Sequence, residues 1–368
     1  MKFICKKNEL VQALQIAGKA VASKTENPLI SGIYIKAENN IIEMQATNFE
    51  IGIICKIEAE IEGSGTILIP GYYAQEIIRR MPGTTVEFSF DPSENKVNIK
   101  SNRSSFSILC MEADKYPKIN PFLSTNKFSI SDRVLRDLIL NTTFACSNNE
   151  GRPVFTGCLL EVNEDIITMA ATDSHRLAVK SSQLEQPVEK KRIVIPAKLL
   201  NDLQRFLASD LPRDVVISCD LRQISFEFDN VYITSRLIEG QFPDYTRVIP
   251  PNFTTTITLN TEEIRSTLDR IALISRTSEY NVVIMDIADG LARISSDNPE
   301  IGMAEEIVPA SIDGENIRLS LNAGFILDGL KNIKAKEFVL KVNTPNAPIA
   351  IKQLEDPDTT YVISSVRG

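Results

Sequence analysis

The chain has 368 residues, 43% apolar and 24% charged, with a formal net charge of −8. These proportions suit a globular protein of two or three domains, and no apolar run reaches the roughly 18 residues of a membrane-crossing helix. The acidic balance argues against a uniformly basic nucleic-acid binder but leaves room for a local basic surface. Cys5, Cys55, Cys110, Cys146, Cys158 and Cys219 are scattered, without a C-x-x-C pair or metal-ligand spacing. Most lie in apolar strand-like runs, so buried free thiols are expected rather than disulfides or ligands, and no cofactor is implied. The opening Met1-Lys2-Phe3-Ile4-Cys5-Lys6-Lys7 lacks the apolar core and cleavage site of a secretory signal, which predicts a cytoplasmic protein.

In chain order, Phe3-Ile4-Cys5 reads as a strand before an amphipathic helix over 8–24, with Leu10, Leu14, Ala17 and Val21 at helical spacing. A strand ending at Ile69-Pro70 precedes a helix over 71–80, which Pro82-Gly83 stops. Strand-like runs follow at 86–90, 97–100 and 105–110, and the segment closes in Tyr116-Pro117. The same order then returns. A strand at 128–130 leads to a helix over 131–146 that opens with Ser131-Asp132, a good N-cap pair. Ile195-Pro196 precedes a helix over 197–208, three strand-like runs follow, and the segment closes in Phe242-Pro243. A third pass starts at Thr256 with a helix over 261–276, capped in this reading at Thr261 and followed by acidic first-turn residues Glu262 and Glu263. Its second half has a strand at 317–322, a helix over 322–336 and strands at 338–342, 349–352 and 361–366.

Pro70 to Pro196 spans 126 residues, and so does Tyr116 to Phe242. A period that long fits whole duplicated domains rather than a solenoid. The expected fold is α+β, with three repeated domains of two helices packed on antiparallel sheets, bounded at 1–122, 123–252 and 253–368. Together the six helices carry a net +5, which leaves −13 for the rest of the chain. One reading is that exposed helix faces simply favour Lys and Arg; the other is a basic surface for phosphates inside an acidic protein.

One stretch stands apart. Residues 171–179 read A-T-D-S-H-R-L-A-V and contain the single histidine, His175. The alternating apolar run at 166–170 before it and Leu177-Ala178-Val179 after it predict strand, tight turn, strand. A catalytic reading would make His175 a base for Cys158, Asp173 or Ser174, yet no nucleophile motif surrounds them. An enzyme of duplicated α+β domains with its site at His175 is the alternative from another class.

From end to end the chain resembles the β sliding clamps of bacterial DNA polymerase III. The resemblance rests on the opening M-K-F, Ile69-Pro70, A-T-D-S-H-R-L-A at 171–178 and Ile195-Pro196. E-G-Q-F-P-D-Y at 239–245, S-x-N-P-E at 296–300 and the final Y-V-I-S-S-V-R extend it. It implies three clamp domains in a head-to-tail homodimer closed into a ring. Helices would line the hole and duplex DNA would be encircled without sequence reading. The expected role is a non-catalytic processivity factor. Partners would be the DNA polymerase III alpha subunit, the clamp loader, and other polymerases and repair proteins.

By matching positions, a peptide-binding groove would be lined by Phe155, Thr172, Ser174, His175, Arg176, Leu177, Pro243, Arg247 and Val248. Asn322, Phe325, Ile363, Val366 and Arg367 would complete it. DNA-facing cations would be Lys24, Arg79, Arg80, Arg205, Arg270 and Lys331. The subunit seam would bring Phe106 and Ile108 against Leu273 and Ile274. Two positions depart from the family pattern. Ser364-Ser365 replaces a common Met-Pro pair, and Pro153-Val154 stands where relatives often carry aromatics after Arg152.

Overall fold

A computed structural model describes residues 1–122, 126–207, 211–276 and 281–366. Its helices are α1 (Lys7–Ala17), α2 (Gly71–Arg80), α3 (Asp132–Leu140), α4 (Ala197–Phe206), α5 (Thr261–Ser275) and α6 (Ala323–Leu330). All six expected helices are present, five of them clearly or slightly shorter than the pattern suggested. α1 gives way at Gly18 to a 3-10 turn, Gly18–Ala20. α3 stops at Leu140 because the Thr142 and Thr143 hydroxyls bond back to the Leu138 and Ile139 carbonyls at 2.7 and 3.0 Å. Such back-bonding competes with continuing the helix. The cap of α5 is Asn260, whose side chain accepts from the Glu263 N–H at 3.0 Å, while Thr261 is the first helical residue. Asn322 caps α6 in the same way, onto the Phe325 N–H.

The repeat survives in backbone form. Pro70, Pro196 and Asn322 each end a strand, and α2, α4 and α6 each begin at the next residue.

Two compact units are distinguished, residues 1–132 with 205–237 and residues 133–204 with 238–368. In the first, a five-stranded antiparallel sheet runs in the order Glu60–Gly63, Lys2–Lys6, Thr85–Asp91, Lys96–Ser101, Ser104–Leu109. Phe3 and Phe88 stack in its core at 4.7 Å. An eight-stranded sheet runs Lys127–Ser131, Asp214–Cys219, Gln223–Phe228, Val231–Arg236, Ile51–Glu58, Ile41–Thr47, Gly32–Glu38, Gly65–Pro70. Leu10 and Leu14 of α1 are fully buried.

The second unit holds a seven-stranded sheet: Gly157–Thr172, Arg176–Pro196, Asp356–Ile363, Ile349–Gln353, Glu337–Val342, Thr255–Asn260, Ser311–Asp313. It also holds a four-stranded one: Gly302–Pro309, Leu291–Asn298, Val282–Ala288, Ile317–Asn322. Within each unit the main chain pairs across an expected domain boundary. Ile53 registers with Ile233 in the first, and Leu177 with Val362 in the second. Strands that would be open edges in a separate domain are thereby paired. This is why the compact units do not follow the sequence repeat.

Candidate functional site

The strand–turn–strand reading of 166–179 is what the structure shows. Gly157–Thr172 and Arg176–Pro196 form an antiparallel hairpin joined at residues 173–175. Asp173 organises the turn: its Oδ1 accepts from the His175 and Arg176 N–H groups at 2.9 and 3.0 Å. The Thr172 hydroxyl donates to the Arg176 carbonyl at 2.6 Å and accepts from the Ser174 N–H at 3.1 Å. Ser174 is thereby held at φ 80°, a left-handed conformation that costs a non-glycine residue about 1–2 kcal/mol.

Arg176 ties the turn to α6. Its Nε donates to Asp173 Oδ2 at 2.9 Å and its guanidinium to Asp328 Oδ2 at 2.7 Å, with only 10% of the side chain exposed. The guanidinium lies 4.5 Å from the Phe325 ring centroid and 6.0 Å from that of Phe144, a cation–π arrangement. Burial opposes its charge, but the Tyr361 oxygen, Asp328 and Asp173 outweigh burial and hold its pKa above the ordinary arginine value. Burial in turn pushes the Tyr361 phenol up, and its hydroxyl donates to the Phe325 carbonyl at 2.9 Å.

An open cleft of about 530 Å³ lies over this turn. Of the expected groove residues it brings together Phe155, Ser174, His175, Arg176 and Phe325. Others lie outside its lining. Leu177 is 2% exposed and packs with Leu159, Val179, Phe242 and Val362, while Ile363 is fully buried. Both lie on paired central strands and belong to the core rather than to the lining of the cleft. Asn322 is occupied as the α6 cap, and Thr172 as a brace of the turn.

The tail is fixed by the Ser364 N–H on the His175 carbonyl and the Val366 N–H on the Ser320 carbonyl, both at 2.9 Å. Pro243, Arg247 and Val248 are exposed on and beside a 3-10 turn, Tyr245–Val248. Tyr245 of that turn and Phe242 before it pack on the Leu177 cluster. Phe155, a cleft residue, meets Phe242 edge to face at 6.4 Å. Arg367 lies outside the described residues.

Sequence reasoning missed the opposite wall: Cys146, Ser147, Asn148, Asn149 and Arg152. Its only sequence signal was the polar run before Arg152-Pro153. No group of three or more metal-ligating side chains occurs among the described residues.

Family models for the DNA polymerase III beta subunit match the chain in three pieces. The N-terminal domain matches residues 1–120, the central domain 129–244 and the C-terminal domain 246–367. The chain belongs to the DNA polymerase III beta subunit family. The beta sliding clamp of Staphylococcus epidermidis is 31% identical over 376 aligned positions, covering 100% of this chain and 99% of that one. Among solved structures, the Bacillus subtilis DNA polymerase sliding clamp superposes with a TM-score of 0.92 at 32% identity, over 100% and 99% of the two chains. The Pseudomonas aeruginosa sliding clamp, solved bound to griselimycin, superposes at 0.94 with 26% identity over the full length of both. The chain thus has the three clamp domains of a sliding clamp, and its role is that of a DNA sliding clamp in replication.

The other residues expected of a clamp are found on exposed elements, and several have neighbours of opposite charge. Arg79 and Arg80 both bend onto Glu76, one turn back on α2. Arg270 pairs with Glu306 at 2.5 Å, and Lys331 with Asp328 at 2.5 Å. Lys24 and Arg205 are exposed. Phe106 is 44% exposed and Ile108 partly so on Ser104–Leu109, an edge strand of its sheet. Leu273 is 58% exposed on α5, with Ile274 half-buried beside it.

Proposed function

We propose that this clamp is a head-to-tail homodimer whose ring encircles duplex DNA and tethers its partners through the cleft around Arg176. The three domains span 1–122, 123–252 and 253–368. The protein has no catalysis of its own and works in the cytoplasm. The observation that carries the tethering role is the combination in one cleft of the Phe155 and Phe325 rings with polar groups of a turn held by Asp173. Such a surface seats an apolar side chain of a short peptide and fixes the backbone around it. The partners are those of clamps in general: the DNA polymerase III alpha subunit, the clamp loader, and other polymerases and repair proteins. Phe155, Ser174, His175, Arg176 and Phe325 touch the peptide, with Pro243, Arg247, Val248 and the tail at Val366 at the margin.

The non-catalytic reading is supported by what the nucleophile candidates do. The Ser174 hydroxyl donates to the Asp173 carbonyl, and burial keeps the Cys158 thiol well above its ordinary pKa.

The ring reading is supported by two open sheet edges. Ser104–Leu109 exposes Phe106 and Leu109, and Gly302–Pro309 exposes Met303 and Ile307. Long apolar edges are an aggregation hazard unless a partner strand covers them. The head-to-tail seam pairs one with the other, with Leu273 and Ile274 packed on Phe106 and Ile108. Lys24, Arg79, Arg80, Arg205, Arg270 and Lys331 then face the phosphates.

Light scattering tests the ring: a chain of 41.0 kDa should elute as a dimer of twice that mass. Truncating one buried aliphatic side chain to alanine costs about 2–5 kcal/mol, so Leu273→Ala with Ile274→Ala should give folded monomers. A double variant still dimeric at nanomolar concentration contradicts the seam.

A further inference from the structure

Two sulfurs meet behind the wall of the cleft. Cys146 Sγ and Cys158 Sγ are 3.5 Å apart, within hydrogen-bonding distance. Cys158 is fully buried near the start of the strand Gly157–Thr172, whereas Cys146 is partly exposed and lines the cleft. Between them runs the segment that supplies Asn148, Asn149, Arg152 and Phe155 to the cleft, closed on itself by the Ser147 N–H donating to the Phe155 carbonyl at 2.8 Å. The remaining four thiols are buried.

We propose that Cys146 and Cys158 form an oxidative modification site, a dithiol that hydrogen peroxide converts to a disulfide and that thereby controls the cleft. The control rests on the peptide-binding reading above; the modification does not. An accessible thiol beside a resolving one is the usual arrangement of a redox-sensitive cysteine, and in a reducing compartment such a bond is transient rather than structural.

The Cys146 sulfur attacks one peroxide oxygen; the O–O bond breaks and the displaced hydroxide takes the thiol proton as water, leaving a sulfenic acid. The Cys158 sulfur then attacks the Cys146 sulfur. The S–S bond forms as the S–O bond breaks, and the Cys158 proton leaves with the hydroxyl as a second water. One peroxide is reduced by two electrons and the two thiols are oxidised by two. Burial, with Cys146 beside it, pushes the Cys158 thiol well above its ordinary range. That makes Cys158 a poor nucleophile toward free peroxide, and it is the 3.5 Å approach of the two sulfurs that lets it resolve a sulfenic acid on Cys146.

Forming the bond brings the sulfurs about 1.5 Å closer. It draws Cys146 away from the cleft and fixes the wall between the two cysteines. The oxidised protein should therefore bind a clamp-binding peptide about tenfold more weakly, reversibly on reduction.

The test uses the full-length protein, fully reduced and then exposed to limiting hydrogen peroxide. Free thiols are counted with Ellman's reagent, and fragments are mapped after glutamyl endopeptidase, which cuts at Glu150 between the two cysteines. The site predicts loss of two of the six thiols and a cross-linked fragment pair that a reductant separates. Cys158→Ser should halt at a dimedone-reactive sulfenic acid on Cys146, and Cys146→Ser should keep its thiols. Survival of all six thiols under peroxide that consumes glutathione overturns the proposal, as does oxidation of Cys146 without the cross-link.

A fluorescein-labelled peptide from the alpha subunit, titrated onto both forms, reads the control. Equal affinity of reduced and oxidised protein overturns it. Failure of the reduced protein to bind the peptide would instead remove the cleft reading, with the thiol count still deciding the modification.

Discussion

Arg176 is the most informative residue to remove. It is 10% exposed and bridges Asp173 and Asp328, themselves 14% and 26% exposed, so Arg176→Ala strands two carboxylates in a partly dry site. Breaking a buried ion pair from one side costs roughly 3–5 kcal/mol. Two facts place this case near the lower figure. Asp328 keeps Lys331 at 2.5 Å, and Asp173 keeps its two backbone N–H donors. About 3 kcal/mol corresponds to a fall in Tm of roughly 6–12 °C for a unit of this size. Arg176→Lys keeps the charge but loses the fork and the stacking on Phe325, so it should fall in between. Thermal unfolding of the parent and both variants checks the order, and peptide titration should show about tenfold weaker binding for the Ala variant. An Ala variant that melts within about 2 °C of the parent and binds peptide normally would refute the central role of this residue.

Three further outcomes are expected. Ser364→Met with Ser365→Pro restores apolar wall beside the His175 carbonyl and should tighten peptide binding about tenfold, roughly 1.4 kcal/mol; fluorescence anisotropy showing no change would mean the tail is outside the site. Glu76→Gln frees Arg79 and Arg80, so binding to linear duplex should strengthen and its salt slope should steepen by about 1–2; an unchanged slope would mean neither arginine reaches phosphate. The last outcome concerns Lys180, whose Nζ lies 2.8 Å from both Asp356 oxygens. Burial opposes both charges, and the pairing outweighs it, lowering the Asp356 pKa and raising that of Lys180. The Asp356 contribution is present above its unfolded value of about 3.9 and is lost as pH falls through the folded value. The Lys180 contribution is complete below about 10.4 and is lost as pH rises through its folded value. Stability measured against pH should fall at both ends, and Lys180→Met should flatten both flanks; identical profiles would contradict this.

The parts legible in sequence were those set by local chemistry. Strand-then-helix junctions at Pro70, Pro196 and Asn322, and the polar turn at 173–175, follow from neighbours along the chain. The strands Gly32–Glu38 and Ile51–Glu58 carry no such signal, because they run buried at consecutive positions without the alternation that marks a half-exposed strand. Helix ends at Gly18 and Leu140 depended on a 3-10 turn and on threonine back-bonding, which periodicity does not report. In the site, His175 and Arg176 were marked by composition. The Arg176–Asp328 bridge, which spans 152 positions, and the meeting of Cys146 with Cys158 came only with the fold.

Encirclement is tested most directly by topology. Loaded onto a nicked circular plasmid by a clamp loader, the protein should stay with the DNA through gel filtration at high salt. It should leave when one cut linearises the plasmid, because its own phosphate interactions are weak and salt-sensitive. Equal loss from the circle and the linear form at the same salt concentration would contradict a ring around DNA.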